Sequence, residues 1–193
     1  MKTYYHVSSL RNKGDKLLRT GKIGYDYCCY ANTCDLSTFE KYIECYNNLC
    51  LSNVFQKTKR TPAKWLCEYV FEKTRKQYFS MLPSRLWGVY LVDSFEEAKN
   101  FLFSERNYPG SKIFEIVVVN DSSVHCFDMS LFTKAQTLIE KDVINSNVYI
   151  QAFEFAKSYW ESNNSYVGKK EFLIEDDSLE IGKEVFCWTP KKI

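Results

Sequence analysis

The stretch Gly88-Val89-Tyr90-Leu91-Val92-Asp93-Ser94-Phe95-Glu96-Glu97 combines the two element types of this chain. Its apolar part, within residues 86–92, predicts a β-strand, because β-branched and aromatic side chains suit a pleated, half-buried surface. Ser94 and Glu97 then form a capping box, which predicts the start of a helix. Apolar residues continue at helical spacing, at Ala98, Phe101 and Leu102. A strand is therefore followed directly by a helix.

Similar signals place further elements along the chain. Strands are expected at residues 3–9, 112–119, 124–127, 170–175 and 184–188. Helices are expected at 12–20, from Ser37, from Thr61-Pro62, at 132–144 and at 147–161. Helical spacing places Phe39, Ile43 and Tyr46 along one face of the Ser37 helix, and it places Trp65, Leu66 and Tyr69 of the Pro62 helix at core positions. Because strands and helices mix without regular βαβ alternation, the predicted class is α+β.

Composition predicts a folded protein. The chain has 193 residues, of which 45% are hydrophobic and 17% aromatic, so we expect one domain over residues 1–193. The net charge of +2 gives no strong field toward nucleic acid or membrane. No apolar run reaches the length of a membrane span, and the N-terminus lacks the apolar core of a secretory signal. We therefore expect a cytoplasmic protein with no membrane partner.

The cysteines give only a weak metal signal. There are eight of them and two histidines, and no Cys-x-x-Cys spacing occurs. A zinc site usually needs two closely spaced ligand pairs. Five cysteines lie near one another in sequence, at Cys28, Cys29, Cys34, Cys45 and Cys50. The expectation is free thiols and no bound metal.

Three predicted strands carry a polar group that a buried strand does not need. These groups are His6 in Tyr5-His6-Val7-Ser8, Tyr90, and Glu171 in Lys170-Glu171-Phe172-Leu173-Ile174. Buried strands are satisfied by Val, Ile, Leu and aromatic residues. The structural alternatives are a histidine at a strand end, a half-buried tyrosine and a solvated glutamate beside lysines. Each segment alone is compatible with those alternatives.

Taken in order, the three segments resemble the NAD-binding site of ADP-ribosyltransferases of the His-Tyr-Glu type, the diphtheria toxin and poly(ADP-ribose) polymerase group. The first is similar to the family's strand-His-Gly-Ser opening, with Val7 where glycine is usual. The others are similar to its Gly-Ile-Tyr-Phe and Asn-Glu-Tyr strands. The resemblance covers residues 3–21, 84–102 and 170–186. It implies a split mixed β-sheet with peripheral helices, and makes 22–83 a variable helical insertion.

The resemblance implies that NAD is the substrate and gives roles to several residues. His6 would bind the adenosine ribose with support from Ser8, and the backbone of Val7 would bind the nicotinamide amide. Tyr90 and Phe101 would hold the nicotinamide ring between them, since aromatic faces suit a flat amide-bearing ring.

Two positions near the second segment are less clearly assigned. Ala98 stands where the family often has a serine that contacts the nicotinamide amide. Arg85 would contact the NAD pyrophosphate or an acidic acceptor, because a guanidinium binds phosphate through two donors. The alternative for Arg85 is an ordinary surface arginine.

Glu171 is the candidate catalytic residue. Cleavage of the nicotinamide–ribose bond builds positive, oxocarbenium-like charge at the anomeric carbon. A carboxylate that grips the ribose and faces this carbon interacts more strongly as the charge develops. Glu175, Asp176 and Asp177 are nearby competitors, but a bulky apolar strand follows Glu171 directly.

The predicted function is therefore mono-ADP-ribosyl transfer to a protein or nucleic-acid acceptor with release of nicotinamide, as in a bacterial or phage toxin or defence factor. NAD hydrolysis and NAD-dependent removal of RNA phosphate are enzymatic alternatives. A further alternative is an inactive binding module on the same fold. Basic and aromatic residues within 55–80 would then contact single-stranded nucleic acid, unless they form only the solvated face of a helix.

Overall fold

The computed structural model describes residues 2–8, 13–14, 36–51, 62–105, 109–118, 123–142, 144–164, 168–175, 179 and 181–189. Within them the strands are β1 (Lys2–Ser8), β2 (Val89–Leu91), β3 (Lys112–Val118), β4 (Val124–Asp128), β5 (Lys170–Ile174) and β6 (Glu184–Cys187). The helices are α1 (Phe39–Leu51), α2 (Pro62–Tyr78), α3 (Phe95–Glu105), α4 (Met129–Lys141) and α5 (Ser146–Glu161). Helices and strands are mixed irregularly along the chain, which confirms the predicted α+β class.

Most predicted elements are present, with small shifts at their ends. The helix expected at 132–144 begins earlier, at Met129, because the Asp128 carboxylate accepts a hydrogen bond from the Ser130 amide at 2.9 Å and caps it. The helix expected at 12–20 and the cysteines Cys28, Cys29 and Cys34 lie outside the described residues. No helix in the described ranges is both long and apolar enough to cross a membrane.

Helix α1 differs from the sequence expectation in its buried face. At its start, the Thr38 Oγ1 accepts from the Lys41 amide at 3.3 Å. The buried face is formed by Tyr42, Cys45 and Leu49. The predicted Phe39, Ile43 and Tyr46 are only partly buried. Eight of the thirteen residues of α1 are apolar, so helical spacing alone permits two different buried faces.

The chain divides into two compact units, which we name by their content. The strand unit comprises Met1–Arg19, Gly88–His125 and Glu171–Ile193. The helical unit comprises Thr20–Trp87 and Cys126–Lys170. The predicted insertion at 22–83 corresponds closely to the first segment of the helical unit, but that unit also includes the second segment. One domain over the whole chain stays a prediction.

Strands are arranged in two three-stranded sheets, with the orders β1-β3-β6 and β2-β5-β4. Strands β1 and β3 pair antiparallel over seven residue pairs, from Lys2↔Val118 to Ser8↔Lys112. Strands β2 and β5 are also antiparallel, as are β3 and β6. The pairs whose register is defined are therefore antiparallel, and the expectation of a mixed sheet was wrong for them. A single bridge between Tyr5 and Val92 links β1 to β2.

Helix α3 covers one face of β1 and β3. The Ser94 hydroxyl caps it as predicted, accepting from the Glu97 amide at 3.1 Å. Ala98 and Leu102 are fully buried against Ile113. The partly buried residues around this cluster are Tyr5, Val7, Val92, Phe95, Val185, Phe186 and Trp188. Helix α3 therefore covers the face of β1 that carries Tyr5 and Val7.

The helical unit has an aromatic core between α2, α4 and α5. The Phe71 ring lies 5.0 Å from that of Phe132 and 5.2 Å from that of Tyr159. Phe127 stacks on Tyr159 at 4.9 Å. The Trp160 indole Nε1 donates to the Phe71 carbonyl at 2.8 Å, so its polar atom is satisfied within the core. The predicted burial of Trp65, Leu66 and Tyr69 is confirmed.

Two leucines of the helical unit provide a matched test of this core. Leu66 is 0% exposed in α2, whereas Leu51 is 83% exposed at the end of α1. Leu66→Ala should lower the free energy of unfolding by about 2–5 kcal/mol through lost burial and a residual cavity. Leu51→Ala should change it by less than about 0.5 kcal/mol. Urea unfolding of both variants measures the difference, and equal losses would contradict the packing described for α2.

Candidate functional site

The candidate site lies in the strand unit, where β1 and β2 separate. Tyr5 and Val92 exchange two backbone hydrogen bonds, of 2.8 and 3.0 Å. If antiparallel pairing continued, Val7 would be opposite Tyr90. Instead, the Nδ1 atom of the His6 ring lies 3.0 Å from the Tyr90 carbonyl oxygen. The His6 ring thus bonds to the Tyr90 carbonyl at the position that a backbone amide of β1 would otherwise take.

This contact assigns the tautomer of His6. A carbonyl oxygen only accepts hydrogen bonds, so Nδ1 must carry the hydrogen. In the neutral ring, Nε2 is then the acceptor nitrogen. A hydroxyl group can donate a hydrogen bond to such a nitrogen.

The opened strand edge also explains how Val7 can act through its backbone. Alternate residues of a strand direct their N–H and C=O groups to the same side. Those of Tyr5 point to β2, so those of Val7 point to the β2 side as well. Its side chain packs near the α3 cluster. Valine in place of glycine therefore keeps the backbone groups directed at the gap. Ser8, the last residue of β1, pairs with Lys112.

Tyr90 and Glu171 lie on one face of the β2–β5 pair. Tyr90 is directly opposite Leu173. Opposite residues of an antiparallel pair share a face, and so do residues two apart on one strand. Glu171 is therefore a diagonal neighbour of Tyr90, a relation that places Cα atoms about 7–8 Å apart. Val89 and Leu91 are buried on the other face, while Tyr90 is 37% exposed.

Glu171 is not a solvated residue. It is 7% exposed, whereas Glu175, just after the strand, is exposed. Removing a carboxylate from water is unfavourable, so a buried one needs a structural or chemical reason. The structural alternative considered for Glu171, a charge in solvent beside two lysines, is wrong. The competitors Asp176 and Asp177 lie outside the described residues.

Phe101 projects from the helix that covers the same face. Helix α3 packs over Val92, which is two residues from Tyr90 and shares its face. Phe101 is 37% exposed although its neighbour Leu102 is fully buried. Ala98 is fully buried in the α3 cluster, so this position serves packing. His6 and Glu171 thus lie next to Tyr90, and helix α3 packs on the neighbouring Val92.

Arg85 belongs to the helical unit and is 4% exposed, so it is not a surface arginine. Its guanidinium donates to both Glu68 oxygens, at 3.0 and 3.3 Å, and to the Tyr159 hydroxyl at 3.0 Å. It also lies 3.9 Å from the centre of the Phe132 ring. A phosphate contact would require this buried ion pair to open. We therefore leave Arg85 out of the proposed site.

The basic and aromatic residues noted at 55–80 separate into two groups. Trp65 is buried, and Arg75 is paired with Glu72 at 2.8 Å. Lys76 and Tyr78 are exposed and lie beside a groove whose other walls were not predicted. Residues 52–61 lie outside the described ranges. Sequence reasoning missed the partners from α5, because no local signal relates two helices so far apart in the chain.

A family described as "Protein of unknown function (DUF2441)" matches residues 11–183. The chain belongs to this family. The match includes Tyr90, Phe101 and Glu171, and begins after His6, Val7 and Ser8. No curated protein matches the chain significantly.

Arg85→Met tests whether this arginine is structural. The variant leaves the Glu68 carboxylate buried without its main cation, so the free energy of unfolding should fall by about 3–5 kcal/mol. The double variant Arg85→Met/Glu68→Leu should recover most of that loss, because it removes both charges. Lys99→Met, in an exposed ion pair, is the control and should cost less than about 1 kcal/mol. Normal stability of Arg85→Met with weakened NAD binding would instead favour the pyrophosphate role.

Proposed function

We propose that the protein transfers ADP-ribose from NAD to a macromolecular acceptor and releases nicotinamide, on a split-sheet ADP-ribosyltransferase fold. One observation carries the proposal: His6 bonds to the backbone of Tyr90, and Tyr90 shares a face with the buried Glu171. These residues come from three strands that are distant in sequence and adjacent in space. The division of the strands into two three-stranded sheets also supports the proposal.

The two ends of NAD would bind different groups at the gap between β1 and β2. Nε2 of His6 would accept a hydrogen bond from a hydroxyl of the adenosine ribose. The N–H and C=O of Val7 would pair with the nicotinamide amide, which has one acceptor and one donor group. Tyr90 and Phe101 would contact the nicotinamide ring with their exposed faces. Ser8 would support His6 at the end of β1.

Glu171 would provide the charge that the reaction needs. The bond between nicotinamide and ribose lengthens as positive charge grows on the ribose carbon. A carboxylate in a buried position is screened little by water, so its attraction to that charge is strong. Because the charge exists mainly in the transition state, the interaction lowers the barrier more than it tightens NAD binding. The leaving nicotinamide takes the bonding electron pair, and the acceptor nucleophile then forms the new bond.

The enzymatic alternatives differ from the proposed function in the molecule that accepts the ADP-ribose. Water as the acceptor would make the protein an NAD glycohydrolase with the same residues. Removal of phosphate from RNA ends would need several basic groups at the site, and the described residues assigned to it above (His6, Val7, Ser8, Tyr90, Phe101 and Glu171) include no lysine or arginine. The toxin or defence role and the cytoplasmic location remain part of the proposal, as inferences from the resemblance.

Glu171→Gln tests the catalytic role. Glutamine keeps the size of the side chain and removes the charge, so NAD should still bind while turnover falls roughly 100- to 1,000-fold. Glu175→Gln, an exposed position with the same charge change, is the matched control and should keep wild-type turnover. Release of labelled nicotinamide measures both. If turnover is lost in Glu175→Gln but kept in Glu171→Gln, the catalytic carboxylate is Glu175 and the assignment of Glu171 is wrong.

Two phenylalanines of α3 test the ring contacts. Phe101→Ala should weaken NAD binding by about 0.5–1.5 kcal/mol, the usual value of an aromatic contact beyond burial. Phe103 is similarly exposed but lies 6.2 Å from the Phe186 ring, so Phe103→Ala should leave affinity unchanged. Tyr90→Ala should behave like Phe101→Ala. Calorimetric titration with NAD compares the three, and equal affinities throughout would assign these rings to packing alone.

The acceptor class can be found together with the activity. The protein is incubated with NAD labelled in the adenylate part and a bacterial lysate, and macromolecules are then separated. Label removed by nuclease identifies nucleic acid, and label removed by protease identifies protein. Nicotinamide release without bound label identifies hydrolysis. If wild-type protein and Glu171→Gln release the same background of nicotinamide, the proposed function is rejected.

A further inference from the structure

The helical unit contains a groove that the proposed reaction does not use. Its volume is about 570 Å³, within the usual range for ligand sites. Helix α2 provides one wall and helix α5 the other. The lining residues are Leu36, Ser37, Lys73, Lys76, Gln77, Tyr78, Tyr149 and Phe153.

An aromatic wall follows the groove. The rings of Tyr149 and Phe153 are one helical turn apart on α5, with centroids 6.5 Å apart. The Tyr78 ring contacts that of Phe153 edge-on at 6.2 Å. Tyr149 is anchored, since its hydroxyl donates to the Leu36 carbonyl. Tyr78, in contrast, is 52% exposed, so part of this side chain is accessible to a ligand.

The charge in the groove is positive. Its described lining contains two lysines, one turn apart on α2, and no carboxylate. Both acidic residues of α2 are buried and paired elsewhere, Glu68 with Arg85 and Glu72 with Arg75. Within the described part of the chain, Lys73 and Lys76 form no ion pair. The lysine charges are therefore not neutralised by their own helix.

We propose that this groove binds single-stranded nucleic acid, with phosphates at Lys73 and Lys76 and a base on Tyr78. Lysines that follow a backbone and rings that stack on bases are the two components of such sites. An acidic peptide would use the lysines and would gain little from the exposed ring. Gln77 and Ser37 add polar groups beside the stacked base.

Fluorescence anisotropy of the full chain with a labelled single strand of about 12 nucleotides tests the proposal, since such sites span roughly 4–16 nucleotides. NAD is omitted, so the result does not depend on the proposed transfer reaction. Tyr78→Ala should weaken binding roughly 5- to 100-fold with little change in salt dependence. Lys73→Ala/Lys76→Ala should weaken it and reduce the slope of log affinity against log salt by about 1.4, the contribution of two single-strand phosphates.

Lys134→Ala is the matched control, since it removes an exposed lysine from α4 outside the groove. It should bind nearly as wild type does. Thermal melting checks that each variant is folded. The proposal is overturned if wild type does not bind at low salt, or if Lys134→Ala is as weak as the double lysine variant. It is also overturned if an oligoglutamate peptide of equal length binds as tightly and Tyr78→Ala has no effect.

Discussion

The candidate site depends on one constraint, which is that β1 and β2 pair at a single bridge. The Tyr5–Val92 bridge holds the strands together, and the His6 ring then takes the Tyr90 carbonyl that the next backbone bond would have used. Continued pairing would satisfy the backbone of Val7 and close the gap. An open strand edge leaves backbone N–H and C=O groups that a ligand or another strand can pair with.

The rest of the strand unit stabilises this open edge from both sides. Strand β1 has a full antiparallel partner in β3, so the chain at Val7 stays extended without help from β2. Helix α3 covers the face of Tyr5 and Val92 with a buried cluster. Strand β2 has β5 as its other partner, which brings Glu171 into a buried position. A buried carboxylate lowers stability, and it is retained where function requires a charge with little water around it.

Sequence patterns predicted the elements well and the contacts between them poorly. The strands and helices were recoverable because their caps, turn residues and apolar spacing are local signals, as at Ser94 and Pro62. The buried face of α1 was not, because its apolar residues surround most of the helix. The resemblance stays a prediction, while the structure places the His6 ring on the Tyr90 carbonyl and the β2–β5 register makes Glu171 a diagonal neighbour of Tyr90. The burial of Arg85 could not be predicted, since its partner Glu68 is on another element and ion pairs leave no local pattern.

Helix α2 illustrates how a chain of nearly neutral composition can present a locally charged surface. The net charge of +2 gave no indication of a basic site. Glu68 and Glu72 face the core, where burial is tolerated only because arginines pair with them. Internal pairing thus removes the acidic charges from the surface of α2 and leaves Lys73 and Lys76 to determine the potential of the groove. A nearly neutral chain can therefore present a charged surface, because burial hides side chains of one charge and leaves those of the opposite charge exposed to solvent.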